Sequence, residues 1–212
     1  MKDAYYKSRY TPNNDRGVVW KEIVRFLNPY IKDAKTVLDL GAGYCDFINN
    51  VNATKKYAVD ISPELPNFAG KEVIQINRTG WDFHEIPTES VDIVHASNFL
   101  EHFTDEDLEK IMKEVRRVLK DGAKLVLMQP NYRYSYKTYF DDPTHKKVFS
   151  HTALESFLIS HDFEIIKKIP KFLPFSLQSR PSIIPVFPLL IRAYLHSPWK
   201  PFAGQMLFVA RK

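Results

Sequence analysis

Two glycines and two aspartates in the first third of the chain have the spacing of a ligand-holding loop. The run Val37-Leu-Asp-Leu-Gly-Ala-Gly43 puts Gly41 and Gly43 directly after a short apolar segment and ahead of a brief helical pattern. Glycine there lets the backbone turn sharply and lets a ligand approach the main chain. The helix start that follows offers unpaired amides. Gly-x-Gly alone is weak evidence, since ordinary turns use it constantly. Asp39 sharpens it, because a carboxylate inside an apolar strand is costly without a partner. Asp60 sharpens it further: it ends the next apolar segment, Lys56-Tyr-Ala-Val-Asp60, where a carboxylate can bind the two hydroxyls of a ribose.

The elements that must position these groups follow from periodicity. Strands are predicted at 36–40, 56–60, 72–76, 91–95, 124–128, 163–169 and 205–210. Helices are predicted over 18–31, 46–52, 105–119 and 151–160, the first with Val19, Trp20, Ile23, Val24, Leu27, Tyr30 and Ile31 on one face. The stripe Leu108, Ile111, Met112, Val115, Val118 and Leu119 marks the clearest helix. Thr104 with Asp107 reads as its capping box and Gly122 as its stop. Strands alternating with helices at this spacing call for parallel crossovers and a doubly wound α/β sheet. Two stretches fall outside the alternation: 130–150, polar and aromatic, and 170–202, which holds half of the 14 prolines. Long connections of that kind are usually functional.

The order strand, Asp-x-Gly-x-Gly, helix, strand ending in Asp resembles the class I S-adenosylmethionine-dependent methyltransferases. VLDLGAGYCDF is similar to their first motif and AVDIS to their second. ESVDIVHASNFLEHF resembles their fourth-strand region, and EVRRVLKDGAKLVLMQP the helix-Gly-strand after it. The terminal GQMLFVARK resembles their added antiparallel strand. The likeness covers most of 36–129, and the chain is also similar to bacterial members of the family associated with glycan assembly. It implies a Rossmann-like, doubly wound, mostly parallel seven-stranded sheet with an antiparallel terminal strand, and S-adenosyl-L-methionine as cofactor. Gly41, Ala42 and Gly43 would then form the loop beneath the methionine part and ribose. Asp39 would orient that loop or reach the cofactor's amino group through water, and Asp60 would accept from the ribose hydroxyls. Ile61 would lie against the adenine, and Asp82 would accept from its amino group, with Trp81 or Phe83 stacking nearby. Asn98 would border the methionine. Many relatives carry a third glycine where this chain has Cys45. A nicotinamide-dependent Rossmann oxidoreductase is the rival, but its third glycine would fall at Asp46, whose charge would repel a pyrophosphate.

Methyl transfer from a sulfonium needs an aligned nucleophile, and a hydroxyl acceptor needs a base. We read His145 as that base with Asp142, or Asp141, as its orienter, in the sequence Asp141-Asp142-Pro-Thr-His145. The competing reading is that His145 pins a loop. Glu101-His102 lies close to the cofactor on this topology; the resemblance favours a structural or cofactor-edge role for His102. Tyr132, Arg133, Tyr134, Tyr136, Tyr139 and Phe140 could hold a sugar of a surface glycan or its lipid-linked precursor. No Cys/His cluster has ligand spacing and no metal is expected; Asp141, Asp142 and His145 are a disfavoured set. His84, His95, His151, His161 and His196 suggest no role. Tyr5, Tyr6, Arg9, Tyr10 and Arg16 either fold over the cofactor, an arginine pairing its carboxylate, or form a solvated arm.

Composition bounds the rest. With 212 residues and 44% apolar content the chain suits one domain over 1–212, with a helical arm at 1–33, an acceptor loop at 130–150 and an insertion at 170–202. One cysteine excludes an internal disulfide framework and suits a reducing cytoplasm. The polar N-terminus shows no signal core, and no run approaches the roughly 20 apolar residues of a membrane span. A net charge of +5 is no nucleic-acid footprint. In 170–202, Lys171, Arg180, Arg192 and Lys200 punctuate apolar stretches, which suits contact with the inner face of a membrane; a lid over the acceptor pocket or a dimer contact suits it as well. A non-catalytic binding protein on the same fold is the third functional class.

Overall fold

The computed structural model describes residues 14–174 and 187–212. Tyr5, Tyr6, Arg9, Tyr10 and Arg180 lie outside the described residues. Seven strands pair into one sheet: β1 (Thr36–Leu40), β2 (Lys55–Val59), β3 (Val73–Ile76), β4 (Val91–Ser97), β5 (Leu119–Pro130), β6 (Glu164–Ile169) and β7 (Gln205–Arg211). Their order is β3-β2-β1-β4-β5-β7-β6. The first five run parallel, and β7 runs antiparallel to both of its neighbours. This is the Rossmann-like sheet expected. The antiparallel strand is last in the chain but interior in the sheet, and its burial agrees: six of its seven residues are buried, whereas edge strand β6 has none buried.

Helices cover both faces. On one face lie α4 (Asp105–Val118) and α6 (His151–Ser160); on the other lie α1 (Asn14–Ile31), α2 (Asp46–Asn50) and α7 (Pro188–His196). The short α3 (Leu65–Phe68) follows β2, and α5 (Tyr132–Ser135) follows β5. Thr104 caps α4 as its sequence predicts, accepting from the Asp107 amide at 3.3 Å. Gly122 does not stop that helix. α4 ends at Val118, and Gly122 (φ +75°) sits inside β5, where the pairing with β4 jumps from Val91–Leu119 to Ile93–Lys124. The left-handed residue serves a bulge rather than a helix end.

The described parts of the Pro-rich insertion, 170–174 and 187–202, include a helix that its prolines do not suggest. Pro188 occupies the first turn of α7, where a missing amide hydrogen costs nothing. α7 packs on α1, burying Leu195, and Arg192 donates to Glu22 at 2.9 and 3.1 Å. Lys200 donates to the Tyr194 and Leu195 carbonyls at the end of α7. Two cations expected to face lipid are therefore engaged within the protein. Leu189, Leu190, Trp199 and Phe202 remain exposed. Among the described residues no helix is long and apolar enough to cross a membrane.

Strand order reverses between β1 and β4, so the loops leaving their carboxyl ends open a crevice, the usual ligand position in such sheets. A buried polar pair locks this seam. Asp39 and His95 are register partners, 3% and 1% exposed, and His95 Nδ1 donates to Asp39 Oδ1 at 2.7 Å. Phe47 of α2 stacks on the imidazole at 3.8 Å, and Trp20 of α1 meets its edge. This answers the cost of a carboxylate in an apolar strand: its partner is the opposing residue of the next strand. Truncating one member strands a buried charge, a loss of about 3 kcal/mol. His95→Ala should therefore lower the melting temperature by about 6–12 °C, followed by circular dichroism; an unchanged midpoint would deny the pair this role.

Candidate active site

The glycine loop is tied down from β2. Gly41 and Ala42 donate their amides to the Val59 carbonyl at 2.8 and 3.2 Å. Gly43 donates to Asp60 Oδ2 at 2.8 Å, and Ser62 donates to Asp60 Oδ1 at 2.8 Å. Gly41 and Gly43 have φ of +68° and +50°, so the loop needs glycine on backbone grounds. Space imposes a second demand at Gly41: a Cβ there would lie 2.2 Å from Cδ2 of Phe99, and one at Gly80 would lie 2.3 Å from Cζ of the same ring. Phe99, from the β4 side of the crevice, thus sits against two glycines from the loops after β1 and β3. Sequence reasoning passed it over, because nothing in an isolated phenylalanine reports on the glycines it will meet.

Cys45, at the position of the third glycine of many relatives, keeps the left-handed backbone that glycine would adopt easily (φ 57°, ψ 22°). It is fully buried, and burial pushes its thiol up to about 12, which keeps it protonated and unreactive. Arg16 is not poised over the loop as a free cation. It donates to Asp46 from Nε at 3.0 Å and Nη2 at 2.6 Å and lies over the Tyr44 ring.

Asp60 accepts from the Gly43 amide on Oδ2 and the Ser62 amide on Oδ1, and burial raises its pKa. Ile61 beside it is 51% exposed, an apolar platform where an adenine would rest. Asn98 (φ +49°), just past β4, accepts from Gln205 Nε2 at 2.9 Å through its side-chain oxygen. Asp82 stands in a surface charge cluster. Arg78 donates to it at 3.1 Å, His84 lies 2.8 Å from it, and the His84 hydrogen bond holds its carboxyl below the ordinary range. An adenine amino group would compete with these two side chains for its oxygens. Phe83 is buried in the core and offers no stacking face, whereas Trp81 is partly exposed and meets Phe103 edge-on.

The second half of the crevice joins two distant segments. Leu100–His102 forms a 3-10 turn after β4. The Lys146 and Lys147 amides donate to the Glu101 carbonyl at 2.8 and 3.0 Å, stitching the 130–150 loop onto that turn. Glu101 is 1% exposed. Thr144 donates to Asp142 Oδ1 at 2.6 Å and faces His102 Nδ1 at 2.9 Å. His145 Nδ1 donates to the Tyr139 carbonyl at 2.6 Å, and Asp142 Oδ2 lies 3.5 Å from His145 Nε2. A backbone carbonyl thus holds Nδ1 of His145 while Asp142 lies near its Nε2, and Asp142 also reaches His102 through Thr144. Tyr139, expected to touch a sugar, is buried with its hydroxyl donating to the Lys147 carbonyl at 2.6 Å. Tyr134, Tyr136 and Phe140 remain exposed. The insertion contributes from the side: Lys171 lies over the Tyr134 ring, but α7 packs on α1 rather than across this loop.

A family model described as a methyltransferase domain matches residues 13–168. The chain belongs to the class I S-adenosylmethionine-dependent methyltransferases. Its fold is similar to an S-adenosylmethionine-dependent methyltransferase from Archaeoglobus fulgidus (23% identity, 91% of this chain and 92% of that one, TM-score 0.68). It is also similar to a possible histamine N-methyltransferase from Thermotoga maritima (19% identity, 93% and 91%, TM-score 0.66). A geranyl diphosphate methyltransferase in complex with S-adenosylmethionine matches with 14% identity, 90% and 84% coverage and TM-score 0.66. No curated protein matches the chain. The methyltransferase is therefore an enzyme using S-adenosylmethionine, and the positive-φ turn at Gly41 and Gly43, the Asp60 carboxylate after β2 and the exposed Ile61 fit that group.

Two outcomes follow for this methyltransferase. Gly41→Ala should weaken S-adenosylhomocysteine binding in calorimetry by about tenfold or more, through strain on the order of 1–3 kcal/mol. Phe99→Ala in the same chain should recover part of the loss by removing the clash, and a double variant no better than the single would refute the contact. Because the folded pKa of Asp60 is raised, its acceptor charge is lost at a higher pH than for an ordinary carboxylate. Cofactor affinity should accordingly fall on acidification while other aspartates are still ionised. Asp60→Asn should abolish that pH dependence and cost about tenfold or more in affinity, the worth of a hydrogen bond to a charged group.

Proposed function

We propose that this methyltransferase places its methyl group on a hydroxyl of a small polar acceptor, a sugar of a surface glycan or its lipid-linked precursor. The observation that carries the reading is the imidazole and carboxylate centre of Glu101, His102, His145 and Asp142. It lies where β4 delivers its chain to the crevice, with Phe140 exposed next to Tyr139, whose ring lies 4.6 Å from His145. A neutral hydroxyl is a poor nucleophile, and a positioned base or acidifying group supplies a factor of about 100 to 10,000.

When bound, S-adenosylmethionine supplies an electrophilic sulfonium methyl. The chain's own residues do the rest. Gly41 and Gly43 would let the backbone approach the ligand, and Asp60 would accept from its ribose hydroxyls. The Glu101–His102–His145 centre receives the acceptor oxygen and takes its proton out of the way. Exposed Tyr134, Tyr136 and Phe140 offer faces on which a sugar ring stacks while its hydroxyls find polar partners.

Label transfer from methyl-tritiated cofactor into cell-envelope glycans and lipids tests the reading. His102→Ala and His145→Ala should each label about 100-fold more slowly than wild type, with S-adenosylhomocysteine affinity unchanged. Label recovered on nitrogen, or variants as fast as wild type, would overturn it.

A further inference from the structure

We infer that the hollow walled by Tyr134, Thr138, Lys171, Lys200, Phe202 and Gly204 holds the phosphate group of a phosphate-ester acceptor. The inference deepens the proposed function: that the ester is the acceptor rests on that reading, whereas the anion site itself stands on geometry. The hollow has a volume of about 380 Å³, within the range of small-molecule sites. Gln205, the residue after Gly204, donates to Asn98 at 2.9 Å, so the hollow adjoins the crevice where β5 ends and β7 begins.

Its walls come from three segments tied together at one buried residue. The Asn131 amide donates to the Gly204 carbonyl at 2.7 Å, and its Nδ2 donates to the Pro170 carbonyl at 2.8 Å. Ser135 Oγ donates to the Asn131 carbonyl at 2.9 Å, and the Gly204 amide to the Leu173 carbonyl at 2.9 Å. The hollow is therefore preformed, and a ligand entering it has little to order.

Charge selects the ligand class. Two lysines line the hollow and no carboxylate does. Both are held by neutral partners: Lys171 Nζ lies 4.5 Å over the Tyr134 ring, and Lys200 Nζ donates to the Tyr194 and Leu195 carbonyls at 2.6 Å each. Other part-buried cations of this fold meet acids, as Arg16 does Asp46 and Arg192 does Glu22. Arg133 and Lys137, exposed beside lining residues in the chain, add to the positive field. Burial pushes the Lys200 ammonium down to about 8, and an anion beside it offsets that cost. A phosphate monoester brings about −1.5 to −2 charge and three acceptor oxygens, enough to meet two cations at once, whereas a carboxylate brings a single charge.

Phe202 supports the same ligand. Its backbone is left-handed (φ 59°), an unfavourable state for a bulky residue, yet its side chain is 92% exposed and gains no core packing. Backbone strain of that kind collects at ligand clamps. Together with Tyr134, Phe202 offers an apolar face to the organic part of the ester. The shared chemistry is a phosphate ester, either a dissolved sugar phosphate or a diphosphate carried on a lipid.

Calorimetry on the full-length protein at fixed ionic strength tests the site with inorganic pyrophosphate and glucose 1-phosphate. Glucuronate and phosphatidylglycerol vesicles are the comparison arms, and S-adenosylhomocysteine binding is the folding control. Saturable binding of at least one of the two phosphates is expected, weakened about tenfold in both Lys171→Gln and Lys200→Gln with S-adenosylhomocysteine affinity kept. Lys171→Gln leaves the end of α7 untouched and decides the matter should Lys200→Gln unfold. No saturable phosphate binding, glucuronate bound as tightly, or unchanged affinity in Lys171→Gln would overturn the site. Vesicle binding without either soluble phosphate would overturn it as well, leaving a membrane contact in its place. Label from the tritiated cofactor in water-soluble sugar phosphates or in diphosphate-bearing lipid tells the two sources apart, and either upholds the site. Phosphate binding in an enzyme that labels only nitrogen would uphold the anion site and sink the hydroxyl-acceptor reading. Label on hydroxyls of phosphate-free sugars, as fast in Lys171→Gln as in wild type, would overturn the inference and leave the hydroxyl-acceptor reading intact.

Discussion

Between β1 and β4 the sheet changes direction of growth, and the Asp39–His95 bond spans that seam in the interior. Much of the candidate site hangs from the two strand ends it aligns. β1 delivers the glycine loop, and β4 delivers Asn98, Phe99, Glu101 and His102. A polar pair with both members nearly sealed from water tolerates little sliding, since any slip would leave a desolvated charge behind. α1 and α2 close over it with Trp20 and Phe47, so the face that shields the pair also sets the height of the helices behind the loop. The glycine loop and the Glu101–His102 turn thereby start from strand ends held in one register.

Much of this was legible in the sequence because it is local. Buried parallel strands are continuous apolar runs, and 36–40, 91–97 and 124–128 show that pattern plainly. The α4 stripe with its Thr104 cap and the Gly41/Gly43 turn are equally local signals. Misreadings came where one residue type serves two geometries. Gly122 has the positive φ that a helix stop would use, but spends it on a bulge within β5. The prolines of 170–202 hid α7, although Pro188 stands where a helix accepts proline.

What sequence could not give were pairings across long separations. His95 drew no argument, yet it is the partner that makes Asp39 affordable. His145 and Asp142 stand out in sequence as polar residues of the 130–150 loop, but their contacts with Thr144, Tyr139 and the Glu101 turn are made only by folding. The Tyr139 carbonyl at Nδ1 of His145 could not be foreseen, although Asp142 does lie beside the other ring nitrogen. Phe99 belongs to the same class, visible only once Gly41 and Gly80 face it.

The position of β7 has a consequence for assembly. β6 precedes it in the chain yet gains its place in the sheet only by hydrogen-bonding to it. A nascent chain therefore carries β5 with a bare hydrophobic flank and β6 without a berth until the final segment threads between them. The first five strands can zip together as they emerge, but closure of this flank is a late, long-range event, and the open flank is where a stalled or shortened chain would stick to its neighbours.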